Sequence, residues 1–262
     1  MSAITFLGTR VARKWPVVGD WQVPAASSAP LEDPVIGQGP YRPLKHVGLE
    51  NAYPVLQGYK DSGGVGLRVN FSDPIKFANL SIVAAWTPIG DDSLPSGERG
   101  HVQVDANYLG WRASASWNRS DFYDLFGPTK RSRKGLALKA GYDHLIWWDD
   151  PRHLDLKLDV AYYDKIDTLP NAQNVGTTSD TLFTAEAGLY YRNVHRSIGA
   201  VDDEKGVAAY GVATVNRANG KTPVQGRVAF DYGWALPWLN TSVWLRTVAG
   251  ASSGDRDDPV AN

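Results

Sequence analysis

Cysteine is absent from all 262 residues, which excludes disulfides, thiolate metal sites and cysteine nucleophiles. No apolar run approaches the ~18–20 residues that a transmembrane helix needs, and the mean hydropathy is -0.32. That excludes helical spans but leaves strand-built membrane proteins open, because a strand shows only alternate residues to lipid. Neither sign of charge dominates. With 27 basic and 28 acidic residues the formal net charge is -1, so no global field favours nucleic acid. Familiar catalytic signatures are missing too: there is no G-x-S-x-G, no phosphate-binding glycine loop and no H-E-x-x-H. The histidines at 46, 101, 144, 153 and 195 lack metal-ligand spacing, and the paired aspartates at 91–92, 149–150 and 202–203 do not match the periodic ligand pattern of a calcium loop. No metal, no cofactor and no enzymatic activity are expected.

Aromatics and turn formers are what the chain has in abundance: 10 Trp, 12 Tyr, 26 Gly and 16 Pro. Residues 102–117 show how they are used. Val102, Val104, Ala106 and Tyr108 alternate with Gln103, Asp105 and Asn107; after Leu109-Gly110, Trp111, Ala113, Ala115 and Trp117 alternate with Arg112, Ser114 and Ser116. A two-residue turn at 109–110 sets 108 against 111, 106 against 113, 104 against 115 and 102 against 117. Every apolar residue then lies on one face, because side chains along a strand alternate with period two.

The pattern recurs. It predicts strands at 63–71, 75–86, 101–108, 111–118, 135–146, 153–163, 181–193, 206–217, 222–233 and 241–252. Most match the ~9–11 residues of a tilted membrane-crossing strand better than the ~5–6 of a typical globular one. Residues 1–61, with seven prolines from Pro16 to Pro54, read as a linker and the remnant of a preceding domain, with a weak extended piece at 44–50. Residues 62–262 form the strand region. Connections alternate between short (72–74, 109–110, 147–152) and long (87–100, 119–134, 164–180), as in outer-membrane barrels with short periplasmic turns and long outer loops. The connections at 194–205 and 218–221 break that alternation.

The fold expected is therefore all-β: an antiparallel up-and-down transmembrane β-barrel, incomplete, an open curved sheet of about ten strands. Aromatics sit near the ends of the apolar arms (Tyr108, Trp111, Trp117, Tyr142, Tyr162, Tyr191, Tyr232), where headgroup-level girdles place them. Asp105, Arg112, Lys139, Asp143, Asp155, Lys157, Asp159, Glu186, Arg227 and Asp231 then line a wet lumen. A soluble reading inverts the faces. It buries Val104, Ala115, Leu156, Leu158, Leu189 and Phe230 and makes the chain an all-β binding module or the non-catalytic part of a propeller-linked hydrolase. Strand 241–252 alternates poorly, with Arg246 on the same face as Trp244 and Val248, so it is expected to present a free edge rather than to pair with 63–71.

The 119–134 connection carries Phe122, Tyr123, Leu125 and Phe126, then Lys130, Arg131, Arg133 and Lys134. Exposed aromatics beside four cations suit either a surface ligand or lipid phosphates, or else a basic loop packed on the rim. The segment DFYDLFGPTKRSRKG at 121–135, with LENAYPVLQGYKD at 49–61, GAVDDEKG at 199–206 and GDRDDPVAN at 254–262, resembles large bacterial proteins that join a TolB-like β-propeller to a C-terminal outer-membrane barrel. That barrel is similar to the surface-antigen barrels that insert or translocate outer-membrane proteins. FLGTRVARKWPVV at 6–18 resembles the end of the propeller and the linker out of it. The resemblance implies a bacterial outer-membrane location and a role in transport, translocation and assembly, or anchoring. The partners it implies are outer-membrane lipid and a periplasmic propeller on the same polypeptide. It also implies that the chain is a fragment, preceded by most of a propeller and an export signal and followed by further strands; residues 1–21 make a poor signal peptide in themselves.

Overall fold

A computed structural model describes residues 13–19, 39–60, 62–89, 94–122, 132–170, 172–177, 179–197, 200–238 and 241–254. The chain divides into two units, Met1–Arg42 and Pro43–Asn262. Within the first, residues 16–19 (P-V-V-G) form a single helical turn.

The second unit is all-β. Its strands are β1 (Gly48–Tyr59), β2 (Ser62–Ser72), β3 (Ala78–Ile89), β4 (Gly100–Tyr108), β5 (Trp111–Trp117), β6 (Asp121–Phe122), β7 (Leu136–Asp149), β8 (Arg152–Asp164), β9 (Thr168–Leu169), β10 (Ala172–Gly176), β11 (Thr181–His195), β12 (Lys205–Arg217), β13 (Val224–Ala235) and β14 (Ser242–Ser252). One antiparallel sheet runs in the order β14-β13-β12-β11-β8-β7-β5-β4-β3-β2-β1-β6, while β9 and β10 pair separately. Its eleven long strands go up and down in chain order, and the sheet is not closed.

The hairpin at 102–117 has the register that its alternation dictates: Tyr108 faces Trp111 and Val102 faces Trp117. Leu109 and Gly110 both have positive φ, 53° and 120°, as the right-handed twist of a two-residue hairpin requires. Only glycine fits at 110, because a Cβ there would stand 2.5 Å from the Asp143 carbonyl oxygen.

Four strands depart from the sequence expectation: the short β6, β9 and β10 lie within segments read as connections, and β1 lies within the segment read as a linker. Residues 48–59 pair with β2 along their whole length and so belong to the sheet, not to a linker that reaches 61. The pattern is hidden because Pro54 interrupts it and a register shift between Leu49 and Asn51 breaks the period. Pro54 is tolerated because β6 covers only Gln57 and Gly58 of β1, so at Pro54 the outer side of β1 is an edge, where a missing N–H need not disrupt a ladder.

The sheet curls toward its polar face. Asp121 follows β5 by four residues yet pairs with Gly58 on the far side of β1, across β4, β3 and β2. In a flat sheet that path covers about 24 Å, five intervals of ~4.8 Å, whereas four residues reach at most about 14 Å. Tyr59 on β1 and His101 on β4 accordingly bring their rings to 4.7 Å, three strands apart.

Candidate functional site

All ten charged residues singled out by alternation share the polar face. The registers place Asp143 opposite Lys157, Asp159 opposite Glu186, and Asp231 opposite Arg246. Arg112 reaches two of the acids, with its Nε 2.9 Å from Asp143 and Nη2 3.0 Å from Asp159. That offsets the repulsion between Asp159 and Glu186, like charges directly across a ladder. Thr214 donates a hydrogen bond to Glu186, and Gln103 donates one to Asp105. The cations of Lys139, Lys157 and Arg227 lie over the rings of Tyr163, Tyr190 and Tyr210. Asp155 stands 3.9 Å from His153.

Burial distinguishes the two faces. Val83, His101, Ser116, Ala161, Tyr163, Leu182 and Val212, all buried, lie on the polar face. The apolar face is bare: Leu67, Leu158, Leu189, Val228, Phe230 and Leu245 are each at least two-fifths exposed. Leu158, Leu189 and Phe230 are residues that the soluble reading would bury. Only ten apolar side chains are buried among the described residues, too few for a packed interior in a sheet of this size. The aromatics of the bare face form two bands. At the short-turn ends Tyr108 faces Trp111, Trp111 faces Tyr142 with ring centroids 4.6 Å apart, and Tyr232 meets Trp234. At the long-connection ends lie Trp86, Trp117, Tyr162 and Phe183. Along the strands, six residues from Trp111 to Trp117 and eight from Phe183 to Tyr191 separate the bands by about 20–27 Å.

At the long-connection end the curl brings four connections together. Glu98, in the turn Ser96–Glu98, accepts hydrogen bonds from Tyr59 Oη and Lys60 Nζ, both at 2.9 Å, and pairs with Lys134 Nζ at 3.1 Å. Lys60 also reaches Asp167 at 3.0 Å, and its backbone N–H donates to Ser132. Asn118, at φ 44° and 1% exposed, donates from Nδ2 to the Gly97 carbonyl and accepts at Oδ1 from the Gly135 N–H. Gly135 must be glycine, since at φ 85° a Cβ would collide with the backbone of Asp164. Burial would raise the Glu98 carboxyl, but the hydrogen bonds from Lys60, Tyr59 and Lys134 outweigh it and hold the group below the usual carboxylate range. For Lys60, burial lowers the pKa, yet hydrogen bonds to Glu98 and Asp167 leave it raised.

One arrangement here has the outline of an activated nucleophile. Thr87 Oγ1 lies 2.7 Å from His101 Nε2, while His101 Nδ1 lies 2.7 Å from the Asn118 carbonyl oxygen. The carbonyl can only accept, so Nδ1 carries the proton and Nε2 accepts from Thr87. Thr87 is 0% and His101 2% exposed, so no substrate reaches them; the pair ties β3 to β4.

No protein-family model, curated protein or solved structure matches this chain.

Of the 119–134 connection, Tyr123, Leu125, Phe126, Lys130 and Arg131 lie outside the described residues. Phe122 belongs to β6 and pairs with Gln57. Arg133 donates to the Pro170 carbonyl at 2.8 Å, and Lys134 is held by Glu98. This end of the connection is thus tied down by the protein itself. Sequence reasoning missed Glu98, Tyr59, His101 and Asn118, because their partners lie in other connections and no local pattern marks them.

Proposed function

We propose that this chain is a segment of a bacterial outer-membrane β-barrel that serves transport, protein translocation and assembly, or membrane anchoring, without catalysis of its own. The observation that carries this reading is the disposition of the faces. Aliphatic residues are bare on one side of long strands, and charges with the buried groups occupy the side toward which the sheet curls. In water a bare face of this extent would be an aggregation surface; in lipid it is the expected exterior. The spacing of the aromatic bands is of the order of the ~25 Å apolar belt of such barrels. Outer-membrane lipid is the partner of the apolar face, and a periplasmic propeller on the same polypeptide accords with the sequence resemblance.

The test is depth-resolved quenching. Reconstituted into vesicles whose acyl chains are brominated near the headgroups, the protein should lose Trp emission from Trp86, Trp111 and Trp117. Replacing those three with Phe should reduce the quenching and leave the share of Trp147 and Trp234 on the same face. A chain that stays monomeric and folded in buffer without detergent, and is not quenched, would sink the reading.

A further inference from the structure

Below the Glu98 seam, on the polar face, lies a cavity of about 420 Å³. Arg119, Arg133, Lys134 and Lys139 line it with Ser114, Ser116 and Tyr163. No carboxylate lines it among the described residues. Of the acids around it, Asp159 is engaged with Arg112, Asp167 with Lys60 and Asp105 with Gln103, while Glu98 pairs with Lys134 of the lining and leaves the other three cations unmatched by it. The Nε atoms of Arg119 and Arg133 are buried without a hydrogen-bond partner and lie out of a solute's reach. Arg133 donates from Nη1 to the Ser132 carbonyl and from Nη2 to that of Pro170, so Arg133 acts on the cavity through its charge. Burial presses against the charge of Arg133, Asp167 relieves it and Arg119 adds to it, and the outcome is a lowered affinity for its proton. Several cations around one void are costly unless an anion shares it.

We propose that this cavity binds a phosphate monoester. Two arginines, a lysine and two serines border one space, and a tetrahedral dianion with several acceptor oxygens suits such a lining better than a single-point halide does. The volume falls within the range of small-molecule sites and leaves room beyond the phosphate for a small polar body, a sugar for instance, against Tyr163 and Ile166. The cavity opens on the polar face, so a solute reaches it without crossing the apolar one. The inference thus rests on the wetted polar face of the proposed barrel, but not on what covers the other face. Membrane insertion and phosphate binding therefore fail separately.

The experiment is a calorimetric titration of the 262-residue chain in dodecyl maltoside micelles with glucose 1-phosphate, against glucose, sodium chloride and sodium sulfate, and with phosphatidic acid in mixed micelles. Vesicle flotation of the same preparation reports insertion independently. Glucose 1-phosphate should bind saturably and glucose should not. Lys139→Gln and Arg133→Gln should each weaken binding about ten-fold, the loss expected of one charge-assisted hydrogen bond at Lys139 and of one charge at Arg133. Lys139→Arg, which keeps the charge, should retain it, and circular dichroism verifies the fold of each variant. Preference for phosphatidic acid, lost in the same variants, would keep the chemistry and assign its source to a lipid headgroup. Equal binding of chloride or sulfate, meaning an adventitious ion only, would overturn the proposal. So would the absence of saturable binding, or binding that ignores Lys139→Gln, an accessible position whose loss does not threaten the fold.

Discussion

The two edges of the sheet are finished in opposite ways. At β1 the chain itself returns: β6 pairs with Gln57 and Gly58, Ser120 donates to the Gln57 side chain, and Tyr59 is fully buried against Glu98. At β14 every residue but Trp244 is exposed, and its outer side has no strand partner among the described residues. An unpaired edge is tolerable in water or against another strand and costs several kcal/mol per polar group in lipid. The contrast shows that curl and closure are separate matters. A sheet can be rolled tightly by its connections at one edge while the other remains open.

Cross-linking breaks or sharpens this contrast most directly, and the absence of cysteine makes it clean. Cα partners in an antiparallel ladder are ~4.5–5.5 Å apart, within disulfide reach. Gly58→Cys with Asp121→Cys should therefore oxidise nearly completely to an internal bridge, whereas Pro54→Cys with Thr247→Cys, which would join β1 to β14, should not. A Pro54–Thr247 bridge in monomeric protein, read by mass spectrometry, would mean that the sheet closes on itself.

The next effect is thermodynamic. Glu98→Ala strands Tyr59 Oη and two lysines, which are two-fifths exposed and partly rehydrate, so we expect a loss of about 2 kcal/mol in urea unfolding. Thr247→Ala on β14 should stay within ~0.5 kcal/mol. Equal losses would erase the distinction between the edges.

Acidity should loosen the same seam. Because the folded pKa of Glu98 is depressed, its stabilisation is present above the unfolded value of ~4.3 and is lost as pH falls through the lower folded value. Lys60 has a raised pKa, so its share is complete below ~10.4 and is lost as pH rises through the higher folded value. Hydrogen-exchange protection of the Lys60 and Gly135 amides should therefore hold between about pH 5 and 10 and fall below about pH 4, while amides of β13 stay unchanged. Parallel losses in β13 would show that the two regions unfold as one.

The smallest effect concerns Arg112. Its ion pairs are two-fifths exposed, so Arg112→Ala should lower stability by less than ~1 kcal/mol, and less again in high salt. Double-mutant cycles with Asp159→Asn read this term at two ionic strengths. A larger, salt-insensitive loss would mean that the polar face is drier than its exposure indicates.

Strand identity and facing were legible in the amino-acid sequence at 102–117, 135–163 and 181–233, and hairpin register at 102–117 alone; at 135–163 the shift between Leu145 and Trp147 hides the pairing that runs on to Asp149 and Arg152. Side-chain direction alternates with period two, and each apolar face is nearly continuous there. β14 was legible as the odd strand because Arg246 shares a face with Trp244. β1 was not, since Pro54 and the shift at Leu49 remove the period, and only pairing with β2 makes it a strand. Tertiary structure alone decided the curl and the seam. Tyr59 meets Glu98 across 39 residues, Ser120 meets Gln57 across 63 and Arg133 meets Pro170 across 37. Periodicity states which way a side chain points, a local property of the backbone. Which connections meet above a curled sheet depends on how far the sheet bends, and no short stretch of sequence encodes that.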